Sequence, residues 1–393
     1  MTLEQAERSR SRWLEPPRLR TAADRHEERR ATWLELFFDL VFVVAITELS
    51  HALVVDHSFG GFLRFAGLFV PVYVAWQGYS FYADRFDTDD LVLRAAFFAA
   101  MLAIAAMAVQ VEDVTDGVHS AGFAVSYILL RSIMLGLYLR AWIAALEARP
   151  LVRMYGTGYA CAVAIWVVSL AFDPPVRYVL WGIALALDLS LPPLSTRLHR
   201  RVPTSSAHVP ERWALFTLIV LGESVVAVAV ATAGSDWHVA SATAAVLGFA
   251  GICALWWLYF DRQDRVALRG GTPSVVVYSY AHLPLLLGLA ATSAGLRLLI
   301  ERASEDQLGV GSSIALVGGI VVFLLALIAT RVITVSGGHR LGVSLKLGAI
   351  AVLLVLLAAE EQLPPIALAA GVAAVLATLV FLERTLFPPE VAI

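Results

Sequence analysis

Six ionisable side chains that are candidates for binding a substrate or a proton lie inside long apolar stretches of the sequence, where they would be surrounded by hydrocarbon. Glu35 and Asp39 are spaced i, i+4, so they would share one face of a helix. A charged side chain at the centre of a membrane helix costs about 2.5 to 3.5 kcal/mol on insertion scales, so it needs a partner, a cavity or a function. The six are Glu35, Asp39, Arg131, Asp188, Glu223 and His282.

These side chains have a functional and a structural interpretation. In the first, they line a central pathway and bind a solute or a proton, with Asp39 or Glu223 as the proton carrier. In the second, a carboxylate facing Arg131 neutralises it and fixes helix packing with little net stability. For His282 alone we expect hydrogen-bonded helix packing rather than ligand binding.

A second group of polar residues lies between residues 84 and 90, where four aspartates and one arginine occur in seven positions. The simplest interpretation is helix capping. Thr88, Asp89 and Asp90 precede an apolar stretch, where their oxygens would accept hydrogen bonds from free backbone amides and their charge would suit the helix dipole.

Two functional interpretations of the same segment remain open. Asp84-Arg85 recurs as Asp261-Arg262 between later helices, which resembles the conformational loop motif of major facilitator transporters. Alternatively, residues 87–90 resemble the Asp-x-Asp-Asp signature of class II terpene cyclases. In that enzyme hypothesis Asp87, Asp89 and Asp90 form the catalytic group, and Asp89 is the general acid whose pKa is raised by neighbouring negative charge.

Membrane-spanning helices must carry these residues. The chain has 393 residues, of which 59% are apolar and 16% charged, and its mean hydropathy is +0.75. Soluble domains are about 45 to 50% apolar and about 25% charged. A hydrocarbon core of about 30 Å needs about 20 apolar residues per helix. The sequence therefore predicts an all-α polytopic membrane protein with about 12 transmembrane helices, arranged as two parallel six-helix halves.

The arginines between the apolar segments predict the orientation. Cytoplasmic loops carry an excess of Lys and Arg. Every second connection here is rich in arginine, whereas those between are short and acidic or neutral. Both termini are therefore expected in the cytoplasm, together with the connections that contain Arg85, Arg149, Arg153, Arg197, Arg200, Arg201, Arg212, Arg262, Arg265, Arg269 and Arg340.

The longest of these connections suggests the domain organisation. Its Pro203, Ser205, Ser206 and Pro210 are typical of a linker. Weak similarity between YADRFD at 82–87 and YFDRQD at 259–264 favours one duplication, which makes the repeats parallel. We expect a polar cytoplasmic tail (1–31), a first half (32–194), a linker (195–212), a second half (213–383) and a C-terminal tail (384–393).

Five stretches, in order along the chain, resemble the bacterial low temperature requirement A family. They are WLELFFDLVFVVA at 33–45, YADRFDTDD at 82–90, ERWALFTLIVLGE at 211–223, WWLYFDR at 256–262 and YSYAHLPLLLG at 278–288. The resemblance implies a multi-pass protein of the bacterial inner (plasma) membrane. It assigns no catalytic residues.

The sequence favours a proton-coupled transporter of a small solute or ion in the lipid bilayer. The alternatives are an intramembrane enzyme acting on an isoprenoid or similar hydrophobic substrate, and a stress-related membrane protein without turnover. The charge of −3 gives no reason to expect nucleic acid. No cofactor or metal is expected, because the sequence has no phosphate-binding glycine loop and its two cysteines, Cys161 and Cys253, lie in apolar stretches. The oligomeric state stays open.

Overall fold

The computed structural model describes residues 15–19, 31–115, 120–199, 208–235, 238–261, 272–334 and 340–387. In these ranges the chain is almost entirely helical, which confirms the all-α polytopic membrane fold. The long helices are α1 (Trp33–Val55), α2 (Phe59–Arg85), α3 (Leu91–Val109), α4 (Ser120–Ala144), α5 (Arg149–Ser169), α6 (Val176–Leu194), α7 (His208–Gly234), α8 (Val239–Phe260), α9 (Thr272–Glu301), α10 (Val310–Ser313, the π-helical turn Ile314–Gly318 and Gly319–Thr334), α11 (Arg340–Ala358) and α12 (Pro365–Leu386).

Eleven of these twelve helices are long and apolar enough to cross a membrane. The exception is α6, whose Arg177, Asp188 and two internal prolines lower its hydropathy. Its membrane crossing follows from a contact instead. Asp84, near the end of α2, lies 3.0 Å from His208, the first residue of α7. The end of α2 and the start of α7 therefore lie on the same side of the membrane. Crossings by α3, α4 and α5 alone would put the start of α7 on the opposite side, so α6 must cross as well.

Contacts between helix ends support the same alternation elsewhere in the chain. The side chain of Gln307, after α9, donates to the carbonyl of Glu361, after α11. Arg384, near the end of α12, pairs with Asp261, just after α8. The ends of α9 and α11 thus lie together, as do the ends of α8 and α12. This is the arrangement expected when each helix crosses the membrane once.

Backbone contacts divide the chain into two compact units. The first comprises residues 1–48, 67–212 and 268–276, and the second comprises residues 49–66, 213–267 and 277–393. Four of the five unit boundaries fall inside helices, which are α1, α2, α7 and α9. The two six-helix halves expected from the sequence stay a prediction.

Aromatic side chains build much of the core of the first unit. Phe38 of α1 contacts Tyr79 of α2 and Phe97 of α3, with ring centroids 5.0 and 4.9 Å away. Further along, Trp166 of α5 stacks on Trp181 of α6 at 4.7 Å. These rings bury large apolar areas between helices, so they fix the helices that carry the ionisable residues.

The second unit is organised around α9, in which 83% of the most apolar stretch is buried. Gly288 and Gly319 let α9 and α10 approach closely, because a Cβ on Gly288 would lie 2.6 Å from the carbonyl oxygen of Gly319. By contrast, only 17% of the corresponding stretch of α11 is buried. The apolar faces of α11 are therefore turned outward, as expected of a helix that contacts lipid.

Two regions expected to be irregular contain regular structure. Arg18–Leu19 pairs antiparallel with Phe86–Asp87, so part of the expected N-terminal tail lies beside the connection after α2. The seventh helix begins at His208 rather than at the expected Trp213. Its Pro210 lies in the first turn, where the missing N–H removes no helical hydrogen bond, so it does not prevent the earlier start.

The crossing by α6 is testable by cysteine labelling. In a variant carrying Cys161→Ser and Cys253→Ser, Asp173→Cys and Thr196→Cys are introduced one at a time on either side of α6. Because α6 spans the membrane, a membrane-impermeant maleimide added to intact cells should label only one of them. Equal labelling of both positions from outside would contradict the twelve-helix topology.

Candidate functional site

Six buried polar side chains from α1, α2 and α7 form a two-layered cluster in the first unit, which we call the charge ladder. Each helix contributes two residues spaced i, i+4, so each pair lies on one face, one turn apart. All six are at most 3% exposed. The members are Glu35 and Asp39 of α1, Ser80 and Asp84 of α2, and His208 and Arg212 of α7.

The deeper layer is centred on Asp39. Its Oδ1 accepts a hydrogen bond from Nη2 of Arg212 at 2.7 Å and another from Nε1 of Trp76 at 2.8 Å. The same Nη2 lies 3.4 Å from the hydroxyl of Ser80. A single carboxylate oxygen therefore joins α1 to both α2 and α7.

The outer layer is centred on His208, one turn closer to the helix ends. Its Nδ1 lies 3.0 Å from Oδ1 of Asp84, and its Nε2 lies 3.8 Å from Oε1 of Glu35. The other Glu35 oxygen accepts from the backbone N–H of Thr32 at 2.7 Å, while the Thr32 hydroxyl accepts from the N–H of Glu35 at 3.3 Å. This reciprocal pair is a capping box, so Glu35 both starts α1 and faces the imidazole.

The deeper layer is only partly satisfied. Within the described ranges, Oδ2 of Asp39 and both Nε and Nη1 of Arg212 have no hydrogen-bond partner. The two residues are 0% and 1% exposed. Buried polar atoms without partners are rare in folded proteins and call for an explanation such as stored strain, a bound ion or a catalytic role.

Arg131 pairs with Asp188 rather than with a carboxylate of the ladder. Its Nη2 lies 2.6 Å from Oδ2 of Asp188, which joins α4 to α6. The guanidinium also lies 4.2 Å from the ring centroid of Tyr159, a cation–π contact with α5. On α2, a Cβ at Gly78 would come 3.2 Å from Nη1 of Arg131, so glycine leaves room for the arginine. These contacts join α4, α5 and α6 around Arg131. Within the described ranges, Nε and Nη1 of Arg131 and Oδ1 of Asp188 have no hydrogen-bond partner, so this pair is also only partly satisfied.

The structure places Asp84 and Arg85 inside α2 and buries them, whereas the sequence suggested a surface loop. Arg85 points away from the ladder into a group of aromatic rings. Its Nη1 donates to the hydroxyl of Tyr138 at 3.4 Å, and its guanidinium lies 5.0 Å from the centroid of Tyr155 and 5.3 Å from that of Phe81. Of the matching pair, Asp261 caps α8 and binds Arg384, and Arg262 lies outside the described residues.

His282 and Glu223 belong to the second unit, whereas the residues of the charge ladder belong to the first. The Nδ1 of His282 donates to the carbonyl of Tyr278 at 2.8 Å, since a carbonyl only accepts, and Nε2 then accepts from the hydroxyl of Tyr259 at 2.9 Å. Both ring nitrogens are therefore bonded, and the bond to Tyr259 joins α8 to α9. Glu223 is half-buried on α7, about three turns beyond Arg212.

The aspartates before α3 make the contacts expected of capping. Oδ1 of Asp90 accepts from the backbone N–H of Leu93 at 3.0 Å, and Arg140 binds both carboxylate oxygens. Asp89 is paired with Arg94 through two hydrogen bonds of 2.7 and 2.8 Å. These bonds hold the pKa of Asp89 below its ordinary value. A general acid needs the opposite shift, so the contacts give the enzyme hypothesis no support.

Four members of this site were not among the residues selected from the sequence: Trp76, Ser80, His208 and Arg212. The sequence places Arg212 in a connection, because the apolar stretch of the seventh helix begins only at Trp213. The i, i+4 spacing of His208 and Arg212 indicates that they share one face of a helix, as the same spacing does for Glu35 and Asp39.

The sequence also identifies the family. The family model described as bacterial low temperature requirement A protein (LtrA) matches residues 30–381. The chain belongs to this family. It is also 26% identical over 346 residues to an uncharacterized protein of Rhizobium meliloti (strain 1021), an alignment that covers 81% of this chain and 82% of the relative. All six residues of the charge ladder fall within the matched region.

The capping interpretation predicts that Asp90 and Asp89 contribute unequally to stability. Asp90→Ala should lower the free energy of unfolding by about 0.5 to 2 kcal/mol through the lost cap, with a further loss because Arg140 keeps its charge without a partner. Asp89→Ala removes only an exposed pair and should have little effect. Thermal unfolding in mild detergent measures both, and equal destabilisation by the two variants would contradict the assignment.

Proposed function

We propose that this member of the family is a proton-coupled transporter of a small solute or ion, in which Asp39 carries the proton. The observation that carries the proposal is the Asp39–Arg212 pair, buried within a membrane helix bundle one turn from a second ionisable layer of Glu35, Asp84 and His208. Buried ionisable residues in membrane helices are expensive and most often mark ion, proton or substrate pathways.

Protonation of Asp39 would change the electrostatics of the whole deeper layer. With Asp39 ionised, its charge balances Arg212 at 2.7 Å. With Asp39 protonated, the guanidinium would be left as a buried cation without a counter-charge, which is strongly unfavourable. Arg212 would then bind an anionic solute or turn toward Glu35, one turn away on α1. Proton binding and a change of partner are thereby coupled.

The outer layer offers a route for that proton. His208 lies between Asp84 and Glu35 at the ends of the helices, and an imidazole can accept a proton on one nitrogen and release it from the other. Glu35 then lies one turn from Asp39 on the same face of α1. The groups that face Asp39 are Arg212 from α7, Trp76 and Ser80 from α2, and Glu35 from its own helix.

The bond between Asp39 and Arg212 would also link protonation to a movement of α7. The first turn of α7, from His208 to Arg212, belongs to the first unit, and the helix continues into the second. Bonds to Asp39 and Asp84 hold that turn in place. In the proposed cycle, protonation loosens it, so the state of one carboxylate biases the position of α7. Glu223, further along α7, is proposed as a second proton-binding carboxylate.

The proposed location is the bacterial inner membrane, with both termini in the cytoplasm. The distribution of arginine between the helices supports this orientation. Since the outer layer of the charge ladder lies where α1 and α7 begin and α2 ends, it would be reached from the cytoplasm.

Neutralising both partners tests the proposal without leaving an unpaired buried charge. The double variant Asp39→Asn with Arg212→Gln should fold, because a buried ion pair adds little net stability, but it should lose proton coupling. The protein is reconstituted into liposomes containing a pH-sensitive dye, and gradients of a panel of inorganic ions, organic anions and organic cations are imposed. At least one gradient should drive proton movement in the wild type and none in the variant.

A matched control is the other buried ion pair of the same unit. Arg131→Gln with Asp188→Asn removes an equally buried pair that joins α4 to α6, and it should keep the solute-driven proton movement. The proposal fails if no solute moves protons in the wild type, or if the Asp39 and Arg212 double variant retains full coupling.

A further inference from the structure

An open groove lies between α11 and α12 in the second unit. Its volume is about 460 Å³, and it is lined mainly by apolar side chains with two hydroxyl groups, those of Ser344 and Thr378. The residues that form its walls include Leu345, Val352, Ala374 and Leu382. Gly348 forms part of the floor, and no atom outside its own helix turn lies within 4 Å of an added Cβ. The groove is thus an empty space with room for an apolar chain.

The surroundings of the groove are those of a lipid-facing surface. α11 has the least buried apolar stretch among the eleven spans found in the described ranges. The large side chains beside the groove are apolar and exposed, as in Leu347, Val355 and Phe381. A water-filled pathway would be lined by polar groups instead, so these side chains contact lipid tails when the protein is in a membrane.

Among the described residues near one end of the groove, basic side chains outnumber acidic ones. Arg331 and Lys346 share a single carboxylate, that of Glu383. Arg384 is neutralised by Asp261. Arg340, the first residue of α11, is exposed and forms no ion pair with any residue in the described ranges. It lies one turn before Ser344, whose hydroxyl donates to the Arg340 carbonyl at 2.9 Å.

The length of the groove matches one leaflet. From Ser344 to Val352 the helix rises about 12 Å, whereas half of a hydrocarbon core is about 15 Å. The groove begins about 6 Å from Arg340 along the helix axis. An apolar chain inside it would therefore continue toward the membrane surface beside a free guanidinium.

We propose that this groove binds one acyl chain of an anionic phospholipid, whose phosphate is held by Arg340. The apolar walls bury the methylene groups, and the excess of basic over acidic groups selects a headgroup with net negative charge. The lipid belongs to the leaflet in which α11 begins, which is the cytoplasmic leaflet in the orientation proposed above. The site does not depend on the transport hypothesis, since it involves no residue of the charge ladder.

Filling the groove tests the proposal. Gly348→Leu places a side chain in the open space without displacing a neighbour. Gly136→Leu on α4 is the matched control, because Gly136 is also an exposed helical glycine with open space around it. Each variant, purified in mild detergent and checked for an unchanged melting temperature, is incubated with equal amounts of phosphatidylglycerol and phosphatidylcholine and analysed by native mass spectrometry.

The wild type and Gly136→Leu should retain phosphatidylglycerol in preference to phosphatidylcholine, and Gly348→Leu should lose this bound lipid. Arg340→Gln should still bind lipid but without preference for the anionic headgroup. Undiminished phosphatidylglycerol binding by Gly348→Leu would overturn the proposal, as would equal retention of both lipids by the wild type. If Gly348→Leu instead converts a dimer to a monomer with no change in bound lipid, the groove is occupied by a second copy of the chain.

Discussion

The cost of an unpaired charge in hydrocarbon is the constraint on which the rest of this structure depends. Asp39 forms an ion pair with Arg212, and Arg131 forms one with Asp188. In the second unit, Glu383 is shared by Lys346 and Arg331. These pairs join α1 to α7, α4 to α6, and α12 to both α10 and α11. The pairs therefore help to specify which helices pack together, even though a buried ion pair adds little to the free energy of unfolding.

The charge ladder differs from the other pairs because it has a second layer of ionisable groups one turn away on the same three helices. Arg131 is enclosed by Asp188 and aromatic rings, which suits a fixed packing element. In contrast, the Asp39–Arg212 pair lies one turn from Glu35, Asp84 and His208, which supply further proton-binding groups. That property makes the ladder the best candidate for a proton-linked switch.

Periodicity along the chain was enough to predict the helices and the ionisable residues within them, but not their partners. Apolar length and alternating arginines predicted all twelve helices, and the residues before α3 predicted the Asp90 cap. The pairing of Arg131 with Asp188 depends on how α4 and α6 are rotated about their axes, which spacing within one helix does not encode. Arg212 was missed because Pro210 suggested a linker, whereas the first turn of a helix tolerates proline.

In the proposed cycle, Asp39 takes up a proton and its ion pair with Arg212 is lost. Infrared difference spectroscopy on acidification reports it directly, because a protonated carboxylic acid has its own carbonyl stretching band. The wild type in lipid should gain such a band as the pH is lowered. That band should be absent in Asp39→Asn with Arg212→Gln and present in Arg131→Gln with Asp188→Asn. An unchanged band in the first variant, or its loss in the second, would contradict the assignment of Asp39 as the proton carrier.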